Sequence, residues 1–149
     1  MTPATISIVQ KLQQLSAVTA SDLAALGVVD RQTRKLRWHA VVGSISERTE
    51  KIRQHAHTGL VGEVLRTGSF MQFRTDNGLM RELDEAIMVT EKLRHAAAWP
   101  LAAQSEWYAY TILIGKRHAG RYEPEQIEAG TRLVQELTAE SMFTNRDRI

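Results

Sequence analysis

The chain is expected to fold as one α+β domain, a central antiparallel sheet of five to six strands covered by helices. Three observations predict this. Two pairs of β-forming runs are each separated by a short polar turn, which implies hairpins. Helical apolar stripes stand at both ends of the chain, and helices must cover the faces of such a sheet. No Gly-rich phosphate loop or dinucleotide-binding fingerprint occurs, so nothing points to a doubly wound parallel sheet.

The elements follow in order. Residues 3–17 place Ile6, Val9, Leu12 and Leu15 at a spacing of three, one face of a helix. Residues 22–30 (DLAALGVVD) form a short continuous apolar run, which fits a buried strand. Residues 35–42 alternate, with Leu36, Trp38, Ala40 and Val42 expected on one face and Arg37 and His39 on the other. Residues 46–51 are read as a short helical turn and 52–57 as an extended stretch. In 58–68, Leu60, Val61, Val64 and Leu65 make a helical stripe, closed by Gly68, which tolerates the left-handed conformation of a helix end. Residues 69–74 are a short strand. Residues 77–93 carry a second stripe, Leu79, Leu83, Ala86 and Ile87, and are read as one helix capped by Asp76 or Asn77. Residues 95–103 and 107–116 form a second hairpin around the turn AQSE. Pro100 requires an edge or a bulge in its strand. A long helix is expected from Glu123 to about Asn145, with Pro124 in its first turn and Ile127, Val134 and Leu137 on its apolar face.

Composition bounds the function. The 149 residues suit a single domain, 1–149, and the 43% hydrophobic and 24% charged content is that of a globular protein. Nineteen basic against seventeen acidic residues leave a net charge of only +2, without a run of five like charges. Nucleic acid is therefore not an expected partner. Arg31, Arg34, Lys35 and Arg37 read as a solvated turn. No apolar run approaches the roughly 20 residues that span a membrane. The N-terminus has no secretory pattern, so the expected location is cytoplasmic. The chain has no cysteine, which excludes disulfides, thiol catalysis and Cys-type zinc sites.

The chemistry-bearing residues are few. A helix starting near Gly59 exposes first-turn N–H groups, and with the helix dipole these suit a small anion. Thr58 as a cap, or Glu63 near the same end, would satisfy the same groups without a ligand, and both readings stand. Trp38 faces inward by alternation and either walls a pocket or fills a core; its indole N–H needs a partner. Trp99, before Pro100, is forced into an extended conformation. Trp107 reads as surface. His55 and His57 share a strand face, but no carboxylate at matching spacing completes a metal site, and no metal or cofactor is expected. Ser44, Ser46, His39 and Asp30 supply triad residue types without a nucleophile-elbow motif. No catalytic residue is assigned and no enzymatic activity is expected.

Three segments together carry a family resemblance. Gly59-Leu60-Val61-Gly62-Glu63-Val64-Leu65-Arg66-Thr67-Gly68 resembles the Gly-(Ile/Leu)-x-Gly-x-Val-x-x-(Thr/Ser)-Gly motif of GAF domains. Ala98-Trp99-Pro100-Leu101 is similar to the family's x-x-Pro-(Leu/Ile) strand. Ile112-Leu113-Ile114-Gly115 followed by Tyr122-Glu123-Pro124-Glu125 is similar to its last strand and helix start. The resemblance implies a GAF-like sheet with the N- and C-terminal helices on one face and a ligand pocket of short helices and loops on the other. Leu36-Arg37-Trp38, Gly43-Ser44-Ile45-Ser46 and Lys51-Ile52 extend it to the stand-alone NreA-type nitrate receptors. That likeness implies nitrate bound without metal. Gly59, Leu60 and Val61 would hold it, enclosed by Trp38 and the Trp99, Pro100 and Leu101 strand, with Trp99 reshaping one wall. It also implies a cytoplasmic sensor histidine kinase as partner, and the terminal helices offer a face for that kinase or for a homodimer. An organic metabolite, or no ligand with output through dimerisation, is the alternative. Helix 77–93 would lie over the pocket as a lid, with Leu79, Leu83, Ile87 or Met88 facing the ligand. Lack of cysteine excludes the sulfoxide-reductase chemistry of some GAF relatives.

Overall fold

The computed structural model describes residues 3–74, 85–101, 106–118 and 120–139. In chain order the elements are α1 (Pro3–Val18), β1 (Leu23–Asp30), β2 (Lys35–Val42), a single 3-10 turn (Thr49–Lys51), β3 (Gln54–His55), α2 (Gly59–Thr67), β4 (Met71–Arg74), α3 (Ala86–Thr90), β5 (His95–Leu101), β6 (Tyr108–Lys116) and α4 (Pro124–Ala139). Six strands form one sheet in the order β3-β2-β1-β6-β5-β4, antiparallel at every pairing.

Both faces of the sheet are covered, which explains why β1 and β6, at its centre, are apolar runs rather than alternating ones. On one face Leu26, Val28 and Ile112 pack beneath α1 and α4, which contribute Leu12, Leu15, Val134 and Leu137. On the other face Leu23, Ala25 and Leu113 pack beneath α2 and α3, which contribute Leu60, Val64, Ile87 and Met88. The terminal helices thus share one face and the short helices the other, the expected α+β arrangement.

Two sequence expectations change and a third is met. First, β2 is not uniform in facing. Leu26 pairs with Ala40 but Gly27 pairs with Trp38, so His39 is an extra residue at a β-bulge. The bulge splits the expected face: Leu36 and Trp38 point toward α2, whereas Ala40 and Val42 pack on the α1/α4 side. A side chain at Gly27 would sit 2.9 Å from both Leu36 and Trp38, so its absence makes room for the indole. Second, the first part of the expected 77–93 helix, up to residue 84, lies outside the described residues. Its described part, α3, ends at Thr90, where the chain turns and Lys92 adopts a left-handed φ of 57°. Third, the edge that Pro100 requires is present: β4 pairs with β5 no further than Ala98, so Trp99, Pro100 and Leu101 are laddered to β6 alone. The AQSE turn from Ala103 to Ser105, and α4 beyond 139, also lie outside the described residues. Among the described residues no helix is long and apolar enough to cross a membrane.

Candidate functional site

The site is built at the start of α2. Gly59 enters the helix with a positive φ of 68°, and Gly68 leaves it at 67° with its N–H on the Val64 carbonyl at 2.9 Å. Gly62 is fixed by a neighbouring backbone, since a side chain there would stand 2.4 Å from the His57 carbonyl carbon. Neither local capping reading is realised. The Thr58 hydroxyl donates to the His55 carbonyl at 2.9 Å, away from the helix, and Glu63 pairs with Arg66 along the exposed surface.

The cap comes instead from outside the helix. Val61 N–H donates to Oε1 of Glu85 at 3.0 Å. Leu60 N–H and the Gln54 side-chain amide also face this carboxyl and favour its ionised form, but burial outweighs all three and raises its pKa to about 7. The side chain is 0% exposed, and among the described residues its second oxygen, Oε2, has no hydrogen-bond partner. Nearby polar atoms share that condition. The Nε1–H of Trp38, a residue 3% exposed, and both amide atoms of Gln54 are buried and make no aligned hydrogen bond. Gln54 is held beside Leu36 by the β2–β3 pairing, on the strand that carries Trp38. Buried polar groups in folded proteins are nearly always bonded, so orphaned atoms of Glu85 and Gln54 at this helix start, with the Trp38 indole N–H on the same face of the sheet, mark the region as a candidate site.

The structure brings together only part of the expected set. Trp38, Leu60 and Val61 share one buried cluster beneath α2, and Gly59 begins that helix. Ile87 and Met88 of α3 pack in the same cluster, whereas Leu79 and Leu83 lie outside the described residues. Trp99 and Leu101 belong to the opposite face. Trp99 donates Nε1–H to the Thr131 hydroxyl at 3.0 Å and stacks on Phe70 at 4.8 Å, so it does not reshape a wall of this site. The reason is parity: β5 turns Ala96, Ala98 and Pro100 to the α2 side, and Trp99 and Leu101 go where the two terminal helices are. Pro100 borders a separate groove of about 600 Å³ with Leu65 and Gly62, rimmed by Arg31, Arg34 and Arg66.

Glu85 and Gln54 carry no sequence signal as site residues. Glu85 reads as the polar side of the 77–93 helix, and Gln54 as one more polar residue in an ambiguous stretch. His55 and His57 have ring centroids 4.9 Å apart, and among the described residues no group of three potential ligands could hold a metal ion. Trp107 is 48% exposed.

A second buried glutamate lies at the other end of α3. Glu91 accepts from the hydroxyls of Ser44 and Thr49, from Ile45 N–H at 2.8 Å and from the Arg117 guanidinium at 2.7 Å. Arg117 also donates to the carbonyls of Glu91 and Gly43. This network joins the loop after β2, the end of α3 and the end of β6.

Solved structures share this architecture. The GAF domain of a phosphoenolpyruvate-protein phosphotransferase from Coxiella burnetii superposes with a TM-score of 0.74 at 19% identity, covering 98% of this chain and 87% of that one. The fold is that of a GAF domain. An NreA protein from Staphylococcus aureus, mutated in its nitrate-binding site, matches this GAF fold at a TM-score of 0.66 and 26% identity, over 80% of this chain and 90% of that one. The GAF domain of a two-component sensor histidine kinase from Bacillus halodurans matches at 0.67 and 12% identity, over 88% of both chains. No protein-family model and no curated protein matches the chain.

Proposed function

We propose that this GAF domain senses a small inorganic anion, nitrate in particular, without a catalytic step, and that its occupancy modulates a cytoplasmic sensor histidine kinase. The observation that carries the reading is the buried, unpartnered Nε1–H of Trp38 in the same cluster as the Leu60 and Val61 first-turn amides. Indole N–H, amide N–H and the helix dipole form a donor set suited to an oxyanion. Gly59 opens the helix at a positive φ, and those amides meet the Glu85 carboxyl. The likeness to an NreA protein with a nitrate-binding site and to the GAF domain of a sensor histidine kinase supports both halves.

Calorimetric titration and thermal unfolding with nitrate, nitrite, chloride and sulfate test it. Nitrate is expected to give heat at one site and to raise the melting temperature, since a ligand that binds only the folded state stabilises it by mass action. No heat and no thermal shift with millimolar nitrate would sink the nitrate reading.

A further inference from the structure

We infer that Glu85 is a built-in occupant of the α2 amide site, a tethered carboxylate that an external planar oxyanion must displace to bind. The inference rests on the anion-site reading above and adds the competitor, its identity and the ligand shape it selects.

Glu85 directly precedes α3 but makes no capping bond to that helix. Its side chain crosses instead to α2, where Oε1 takes the Val61 N–H that an anion would take. A carboxylate is planar, with two equivalent oxygens on one carbon. Nitrate and formate present the same planar arrangement of oxygens, whereas sulfate is tetrahedral and chloride spherical. The amides that hold the planar Glu85 carboxyl are on this reading better matched to a planar oxyanion than to a tetrahedral one. The tethered group wins at rest because its chain holds it at high effective concentration.

Its hold is incomplete. Oε2, Trp38 Nε1 and the Gln54 amide make no aligned hydrogen bond while Glu85 is in place. An oxyanion with a third oxygen could accept from the indole N–H as well as from the α2 amides, which a side chain anchored at position 85 does not do. Burial outweighs the compensating contacts from Val61, Gln54 and Leu60 and raises the carboxyl pKa to about 7, so leaving the site relieves the cost of burying this group.

The experiment compares wild type, Glu85→Gln and Glu85→Ala by calorimetry with nitrate, and by thermal unfolding with nitrate, formate and sulfate. Removing the tethered anion is expected to tighten nitrate binding by about tenfold or more. Formate is expected to raise the melting temperature of Glu85→Ala by several degrees while leaving wild type nearly unchanged, and sulfate to do neither. Equal or weaker nitrate affinity in both variants would overturn the competitor role while leaving the anion-sensor reading intact. Formate rescue of Glu85→Ala without nitrate binding in any form would uphold the carboxylate-shaped site and reject nitrate as its ligand. If no oxyanion binds or stabilises any of the three proteins, both readings fall.

Discussion

Glu85 and Glu91 stand at the two ends of the short α3 segment, and both are 0% exposed. Their surroundings differ completely. Burial pushes the carboxyl pKa of Glu91 up, but Ser44, Thr49, Ile45 N–H and Arg117 outweigh it and hold the group below its ordinary value. Glu85 has one aligned bond, and burial wins. A buried carboxylate with every lone pair served locks structure in place. One left half-served is a place where partners can be exchanged. The two ends of α3 thus separate a carboxylate that holds this GAF-like fold together from one that the proposed function uses.

The largest effect should come from breaking the served end. Glu91→Ala strips partners from two hydroxyls, one backbone N–H and one guanidinium, and is expected to cost about 3 kcal/mol by urea denaturation at neutral pH. Arg117 is 23% exposed in its side chain and can rehydrate, which keeps the cost at the low end of the range for buried pairs. Because the folded pKa of Glu91 is depressed, its contribution is present above the unfolded value of 4.5 and is lost as pH falls through the folded value. A cost near zero would mean that the network is decorative and that the contrast with Glu85 has no energetic content.

At the half-served end the sign reverses. A rise from 4.5 to about 7 means that the folded state holds the Glu85 proton more tightly than the unfolded chain does. The side chain therefore costs nothing through ionisation below pH 4.5, and its penalty grows as pH rises to 7, reaching about 3 kcal/mol above that. Glu85→Gln should then stabilise the protein by about 2 kcal/mol at pH 8, less than the full penalty because an anion is lost from a helix N-terminus. At pH 5 it should change stability little. Denaturation curves at the two pH values check this, and a change independent of pH would refute the account of Glu85 as a strained ion.

Much of the fold was legible in residues whose pattern is local. The DLAALGVVD run, the alternation in 35–38 and the Gly68 helix end all read correctly because each depends on its own neighbours. The facing of Ala40 and Val42 did not, since a bulge is set by pairing with a strand ten residues earlier. The resemblance put Trp99 and Leu101 beside the pocket, but the sequence could not say which helices lie over them. At the candidate site, the helix start at Gly59 was legible from the glycine pattern, and the inward facing of Trp38 from strand parity. Glu85 was not, because its role exists only when α3 is laid across α2. A charged residue before an apolar stretch reads as helix surface until the tertiary contact is known.

The smallest expected effect is also the most direct test of an unserved donor. Trp38 and Trp99 are both buried, at 3% and 4% exposure, on opposite faces of the sheet. Replacing either by Phe removes a similar volume and one N–H. At Trp99 that N–H is bonded to Thr131, so Trp99→Phe loses a hydrogen bond as well as packing. At Trp38 no bond is lost. Trp99→Phe should therefore be the more damaging of the two by about 1 kcal/mol in anion-free buffer. Adding nitrate should turn the order around. It stabilises Trp99→Phe as it does wild type, but leaves Trp38→Phe where it was, because the donor it would use is gone. Melting temperatures of the two variants with and without nitrate decide the matter. If nitrate raises both equally, the Trp38 indole N–H is an orphan of packing and not part of the site.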